Sequence, residues 1–244
     1  MNQFSISEAI GFGWNKTKSN FGFLAGVYVL AFVIQIAFVF PAEYLLRKVP
    51  WLGFVLRILA WFVQMLVSLG LMKILLKLCD GETPEVSDLW QHYPRLWKFV
   101  LGSLAFGLVI GVSILLLLPF LLPASVIQNH AIKTVLTIAG FVIAFGTLMW
   151  SSLRFHFYSF MIADKGVSPI ESLNQSARIT KGSVLNLLLF YICLGLINLA
   201  GAICLLIGLL VTVPLTGMAG AFVYRKLEGT NPKAGELPTA SLNP

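Results

Sequence analysis

Charged side chains are scarce in this sequence. Only 11% of its 244 residues are Asp, Glu, Lys or Arg, whereas an ordinary soluble domain carries about 25%. Hydrophobic residues make up 58% of the chain, and the mean hydropathy is +0.87. This balance excludes an ordinary soluble domain and predicts an integral membrane protein.

Cysteine and histidine are also rare. The cysteines fall in or beside apolar stretches, and the histidines are far apart in the sequence: Cys79, Cys193 and Cys204; His92, His130 and His156. An odd cysteine count without a C-x-x-C spacing argues against a disulfide framework, and scattered histidines argue against a metal cluster. The phosphate-binding loop and the dinucleotide fingerprint are missing. We therefore expect no catalytic residues, no cofactor and no metal.

Long apolar runs, by contrast, fill the chain. They occupy roughly residues 21 to 40, 51 to 76, 99 to 122, 132 to 153 and 183 to 224. A helix needs about 20 apolar residues to cross the hydrocarbon core, and the last run is long enough for two helices with a turn near Ile207-Gly208-Leu209. The runs predict an all-α bundle of six transmembrane helices. The first run has no small-residue cleavage site and is expected to remain as an anchor.

The basic residues predict an orientation. With the N-terminus in the cytoplasm, 13 of the 17 Lys and Arg residues lie inside, and only four lie outside: Arg47, Lys48, Arg57 and Lys133. Because basic residues are retained on the cytoplasmic side, both termini are expected to be cytoplasmic. The net charge of +7 is thereby explained without nucleic acid as a partner.

Three polar-to-apolar transitions share one spacing, in which an acidic residue precedes a lysine by ten positions: Glu8 and Lys18, Asp88 and Lys98, Glu171 and Lys181. Capping boxes are expected at Ser5 to Glu8 and Ser168 to Glu171, with Thr83-Pro84 as the cap of the middle copy, whose helix Pro94 interrupts. The closing spans end similarly, around Gly81, Gly166 and Gly229. Capped cytoplasmic loops of coincidental spacing are the alternative.

This pattern predicts a single membrane domain, residues 1–228. Its repeats, about residues 5–82, 83–166 and 167–228, each combine an interfacial amphipathic helix with a helical hairpin. Residues 229–244, rich in Pro, Gly and small polar side chains, are expected to form a flexible cytoplasmic tail.

In the first copy, one helical face is expected to rest in the membrane interface: Ile6, Ala9, Ile10, Gly13, Trp14, Thr17 and Phe21. The lysines lie where each surface segment meets the headgroups and would attract lipid phosphate. The candidate lipid-headgroup contacts are Lys18, Lys98, Arg178 and Lys181. The expected partners are therefore membrane lipids, anionic ones in particular.

Several polar side chains fall within the apolar runs: Gln35, Gln64, Ser68, Ser113, Asn186 and Asn198. They could line a pathway, but interhelical hydrogen bonds are the favoured interpretation. Gly22/Gly26 and Gly107/Gly111 have the G-x-x-x-G spacing, which is weak evidence for a dimer. Packing within one chain is the default interpretation, and the oligomeric state stays open.

Residues 163–173, Ala-Asp-Lys-Gly-Val-Ser-Pro-Ile-Glu-Ser-Leu, followed by Ser176, Arg178, Thr180, Lys181 and Gly182, resemble the characteristic loop of an uncharacterised family of six-span bacterial inner-membrane proteins. That family is similar to the membrane domain of some glycerophosphodiester phosphodiesterases. Val213-Pro214-Leu215-Thr216-Gly217, with Ala221, Tyr224, Arg225 and Leu227, resembles its closing span. The resemblance implies an inner-membrane location, six spans and no catalytic residues. Phosphodiesterase activity is not implied, because the soluble catalytic domain has no counterpart here.

The leading functional prediction is a non-enzymatic inner-membrane protein that organises the membrane or handles a lipid. The alternative is a transporter or permease for a small hydrophobic or lipid-like molecule, although two spans per repeat give parallel copies rather than inverted ones. An intramembrane enzyme is a third possibility. It would require titratable residues clustered at one membrane depth.

Overall fold

Helices dominate the computed structural model, which describes residues 4–91, 93–120, 122, 127–204 and 208–229. In chain order they are α1 (Ile6–Ser19), α2 (Phe21–Lys48), α3 (Pro50–Cys79), α4 (Leu96–Leu115), α5 (His130–Phe155), α6 (Tyr158–Lys165), α7 (Pro169–Ile179), α8 (Val184–Ile203) and α9 (Leu209–Glu228). Two short 3₁₀ turns, Val86–Leu89 and Tyr93–Arg95, precede α4. The described residues contain no strand, so the all-α prediction is confirmed for them.

Five helical segments are long and apolar enough to cross a membrane: Phe21–Lys48, Pro50–Cys79, Val86–Phe120, His130–Lys165 and Val184–Ile203. Helix α9 follows α8 as predicted but is not among them, and its last turn carries Arg225, Lys226 and Glu228. The chain thus has the helices of a multi-pass membrane protein, whereas the count of six spans stays a prediction. Of the predicted turn, Ile207 lies outside the described residues.

The described residues divide into two compact units. Unit 1 contains those up to Trp97 and those from Leu189 onward, and unit 2 contains Lys98 to Leu188. The division does not follow the predicted repeat boundaries, because unit 2 combines residues 98–166 of the middle copy with the start of the third, and residues 83–97 belong to unit 1. The single domain over residues 1–228 stays a prediction. Of the predicted tail, residues 230–244 lie outside the described part of the chain.

The three predicted copies end alike but begin differently. Gly81, Gly166 and Gly229 each follow the end of a helix with a left-handed backbone, at φ of 80°, 62° and 92°. A side chain would strain this conformation, which explains why glycine recurs in the end motifs. The first and third copies begin with α1 and α7, whereas the middle copy begins with the two 3₁₀ turns, because Pro94 cannot continue an α-helix.

Of the predicted helix caps, only the one at Ser168 forms a side-chain hydrogen bond to its helix, and it forms the serine half of the predicted capping box. Ser168 accepts a hydrogen bond from the Glu171 amide at 3.3 Å. Ser5 does precede the first residue of α1, but the predicted capping box is wrong, because the Ser5 hydroxyl pairs with the Ser7 hydroxyl at 2.9 Å and caps no backbone amide. The Thr83-Pro84 prediction is also wrong: in the middle copy a reciprocal capping box joins Glu85 to Asp88.

In unit 1, α1 packs antiparallel against the second half of α9. Glu8 lies 3.1 Å from Lys226, and a Cβ added to Gly13 would lie 2.7 Å from the Leu215 carbonyl oxygen and 3.1 Å from the Ala219 amide nitrogen. Such close approach requires small residues in the contact. The expectation that one face of α1 rests in the membrane interface therefore needs correction. The small residues of that face, Ala9, Gly13 and Thr17, are buried, while Trp14 stays about half exposed at 48%.

The G-x-x-x-G pairs do not pack helices within the described part of the chain. A Cβ added to Gly22, Gly26, Gly107 or Gly111 would meet no atom within 4 Å. The default interpretation of these pairs is therefore not supported. Close approach occurs at glycines outside the motif instead, for example at Gly70, where an added Cβ would lie 2.4 Å from the Leu89 Cα.

In unit 2, the predicted motif residues Ser176 and Thr180 support a break in a long helix. α5 ends at Phe155 and α6 begins at Tyr158, which leaves backbone groups without helical partners. The Ser176 hydroxyl accepts from the Phe157 amide at 3.1 Å and donates to the Arg154 carbonyl at 3.0 Å, and the Thr180 hydroxyl donates to the same carbonyl at 3.0 Å. Part of the loop pattern thus has a structural role.

Candidate functional site

The pairing of α2 with α3 fixes which residues of unit 1 lie at the same depth. Glu43 forms an ion pair with Arg57, and Gly53 approaches the backbone of Leu46 so closely that a Cβ would lie 2.2 Å from the Leu46 amide nitrogen. Both contacts belong to one antiparallel register. Extended along the helices, this register places Gln35 opposite Gln64.

These two glutamines lie at the midpoints of their helices. Gln35 follows Phe21 by 14 residues and precedes Lys48 by 13, and Gln64 follows Pro50 by 14 and precedes Cys79 by 15. At about 1.5 Å per residue, each amide lies roughly 20 Å from either helix end. Because the hydrocarbon core is about 30 Å thick, both amides are expected near its centre.

A pocket of about 580 Å³ opens between α2, α3 and the start of α9. Its volume falls within the range of about 300 to 1,000 Å³ that is usual for small-molecule sites. Twelve of its sixteen lining residues are apolar: Val29, Ala31, Phe32, Ile34, Phe38, Ala60, Val63, Val67, Leu71, Leu209, Leu210 and Val213. The pocket therefore suits a largely apolar occupant.

Four polar side chains complete the lining: Tyr28, Gln35, Gln64 and Ser68. Three of them belong to the polar set identified from the sequence, and the structure brings these three together. Tyr28 was missed, because an aromatic residue in an apolar run gives no signal of its own. No carboxylate, imidazole, thiol or basic group is among the lining residues in the described part of the chain.

The favoured interpretation of the polar set as interhelical hydrogen bonds holds at two other positions. Ser113 pairs with Ser151 at 3.2 Å in unit 2, and the Asn198 amide donates to Thr216 at 3.3 Å in unit 1. Gln35 and Gln64 differ, because neither amide makes a hydrogen bond within the described residues and both side chains are exposed. Both side chains line the pocket instead of forming a hydrogen bond between helices.

An ion-pair cluster lies at the end of unit 1 where α3 and α9 finish. Arg225, which is only 7% exposed, pairs with Asp80 and with Glu228, and Lys77 lies 2.6 Å from the buried Asp88. Each basic residue has an acidic partner, so the cluster joins α3, α9 and the first 3₁₀ turn rather than offering free charge to a ligand. The cluster lies at one end of the unit, and the assignment of that end to the cytoplasm stays a prediction.

The four predicted lipid-headgroup residues are all exposed. Lys18 lies in the last turn of α1, Arg178 lies in the last turn of α7, and Lys181 follows α7. Lys98 is engaged within unit 2, where its ammonium donates to the Gly166 carbonyl at 2.6 Å. This bond satisfies a carbonyl just past the end of α6, a role that the charge spacing did not suggest. Headgroup contact by these residues stays a prediction.

Titratable residues that could form other sites are dispersed. His130 begins α5, His156 follows it, and His92 lies outside the described residues. Within the described ranges, no three His, Cys, Asp or Glu side chains come close enough to hold a metal ion.

Neither the family models, nor the curated proteins, nor the solved structures gave a match to this chain. The resemblance to the six-span inner-membrane family therefore stays a prediction.

Proposed function

We propose that this chain is a non-enzymatic membrane protein that holds a lipid or another largely apolar molecule in the pocket of unit 1. The observation that carries the proposal is the pocket itself. It has the volume of a ligand site, a mostly apolar lining and polar groups at a defined depth. In the membrane such a space is filled either by a bound molecule or by an acyl chain from the bilayer.

The chemistry of the lining supports a binding role rather than a catalytic one. A catalytic Ser or Tyr hydroxyl needs an adjacent base to activate it, and the polar side chains of the described lining are two hydroxyls and two amides, with no such base. Amides and hydroxyls orient a ligand through hydrogen bonds. They do not readily exchange protons with it at neutral pH.

The orientation belongs to the same proposal. We place both termini in the cytoplasm of a bacterial cell, with the chain crossing the inner membrane six times. The 13 to 4 split of the basic residues supports the orientation, and the resemblance of residues 163–182 supports the location. In this orientation Lys18, Arg178 and Lys181 face the anionic cytoplasmic leaflet and attract its headgroups.

The experiment that tests the proposal is native mass spectrometry of the purified chain, with Val63→Phe as a pocket-filling variant. Val63 lines the pocket, whereas Val55 lies on the same helix, is 53% exposed and does not line it. Val55→Phe is therefore the matched control. We expect a bound apolar molecule on the parent and on the control, and its loss from Val63→Phe. Equal retention by both variants would place the molecule elsewhere and contradict the proposal.

A transporter for a small hydrophobic molecule is the second candidate. The midpoint position of Gln35 and Gln64 favours it, because substrate sites of secondary transporters lie near the bilayer centre. Counterflow of the identified ligand in proteoliposomes separates the two candidates. Binding without counterflow supports a holding role, and counterflow that Val63→Phe abolishes supports transport.

A further inference from the structure

Gln35 and Gln64 place two primary amides opposite each other inside an apolar pocket, at the depth of the bilayer centre. Neither amide has a hydrogen-bond partner within the described residues. An amide in hydrocarbon is strongly disfavoured unless its donors and acceptors are satisfied, because no water is present to replace a partner. Two such groups at one depth therefore indicate a ligand that carries hydrogen-bonding atoms at that depth.

The other two polar side chains of the pocket, Ser68 and Tyr28, both lie on the same side of the two glutamines along the helix axes. Ser68 lies one helical turn after Gln64, and Tyr28 lies two turns before Gln35, so both are displaced toward the end of unit 1 where α2 begins and α3 finishes. Tyr28 is about 10 Å from the level of Gln35 along the helix axis. The opposite direction, from Gln35 toward Lys48, has only apolar lining residues. The pocket thus distinguishes one end of its occupant from the other.

The charge of the occupant follows from the lining. No charged side chain lines the described pocket, so a phosphate, carboxylate or ammonium group drawn to the centre would be neither neutralised nor hydrated. The ester groups of an ordinary phospholipid stay near the headgroups, well above the glutamines. The occupant must therefore be an uncharged lipid that can place a polar atom at the bilayer centre.

We infer that the pocket binds an uncharged lipid that bears a carbonyl group, and that the amide N–H groups of Gln35 and Gln64 donate hydrogen bonds to that carbonyl oxygen. The inference rests on the proposed function and adds the chemical class of the ligand. A carbonyl oxygen has two lone pairs and no proton to donate, so one such oxygen can accept from both facing amides.

Two photoreactive probes test the inference on the full chain in phosphatidylcholine nanodiscs. One is a long-chain alkane carrying a diazirine, and the other is the same chain with a ketone at its middle. Mass spectrometry of the labelled peptides reports whether either probe reaches the pocket. In the parent we expect the ketone to label α2 and α3 at about tenfold lower concentration than the alkane, since two hydrogen bonds separate the probes.

The decisive variant is Gln35→Leu/Gln64→Leu, which removes both amides and keeps the side chains nearly the same size. We expect it to erase the ketone preference while alkane labelling is retained, which shows that the pocket is intact. Val63→Phe should reduce labelling by both probes, and Val55→Phe should change neither.

Each remaining outcome contradicts a specific part of the account. If the two probes label the parent pocket equally, or if the double Leu variant keeps the ketone preference, the carbonyl inference is wrong and the proposed function stands. If two copies of the parent chain crosslink to each other and two copies of the double Leu variant do not, the amides join the copies in a dimer. The carbonyl inference is then likewise wrong. If neither probe labels the parent pocket, the proposed function itself fails.

Discussion

Arg225 and Asp80 form a two-point ion pair that joins α9 to the end of α3. The guanidinium Nε lies 2.9 Å from Oδ1 of the carboxylate, and Nη2 lies 2.6 Å from Oδ2. The parallel fork of two charge-assisted bonds fixes both the distance and the angle between the groups. The pair thereby links two helix ends that are far apart in the sequence.

Breaking this pair should destabilise the protein, because Arg225 is buried. Asp80→Asn removes the negative charge and leaves the arginine with Glu228 as its main acidic partner. Losing one partner of a buried pair costs about 3 to 5 kcal/mol, and the lower end applies here because Asp80 is a third exposed. We expect a fall of roughly 6 to 12 °C in the melting temperature in detergent. Glu82→Gln, two residues away and exposed, is the control, and an equal melting temperature for both variants would show that the pair contributes little.

The contact of α1 with α9 gives a second prediction. Gly13→Ala places a methyl group against the backbone of α9, and overpacking of this kind costs about 1 to 3 kcal/mol. Gly11→Ala, on the open side of the same helix, should instead be neutral or stabilising by up to about 1 kcal/mol, because alanine favours a helix. Gly13→Ala should therefore unfold at a lower temperature than the parent, whereas Gly11→Ala should unfold at the same or a higher temperature. A common shift would mean that α1 is not packed on α9.

The exposed basic residues are predicted to attract anionic lipid. Replacing Lys18, Lys98 and Lys181 together by Gln should lower the amount of anionic lipid that co-purifies. The reason is that each lysine near an anionic membrane surface contributes about 1 kcal/mol of attraction. Lys98 should contribute least, because its ammonium already donates to the Gly166 carbonyl. Lipid mass spectrometry of the three single variants measures how much anionic lipid each lysine retains and therefore ranks their contributions. Unchanged lipid in the triple variant would limit the lysines to a role in topology.

The orientation is testable by labelling single cysteines in intact cells, after Cys79, Cys193 and Cys204 are replaced by Ala. Glu171→Cys, exposed on α7, should react only when the membrane is permeabilised, and Arg47→Cys, exposed near the end of α2, should react from outside. The reverse pattern would invert the topology that the basic residues predict.

Sequence reasoning predicted the helical class well, because about 20 consecutive apolar residues have few alternatives to a spanning helix. It also recognised Gln35, Gln64 and Ser68 as polar groups within the apolar runs. It could not predict that they share one pocket. That depends on the register of α2 against α3, which the Glu43–Arg57 pair and the contact at Gly53 fix only in three dimensions.

The sequence was less informative for the segments between spans. The face of α1 that was assigned to the membrane interface packs against α9, because small residues at every fourth position, Ala9, Gly13 and Thr17, suit a close helix contact as well as an interfacial one. The middle capping box was also missed. There Glu85 and Asp88 cap each other across a 3₁₀ turn, a pairing that the Ser or Thr signature does not include.

An experimental structure in lipid nanodiscs tests the central claim most directly. We predict elongated density between α2, α3 and α9, with a contact to Gln35 and Gln64 at the bilayer centre, and we predict that this density is lost in Val63→Phe but retained in Val55→Phe. A pocket filled by the protein's own side chains, with no density between the three helices, or density that Val63→Phe leaves unchanged, would contradict the account.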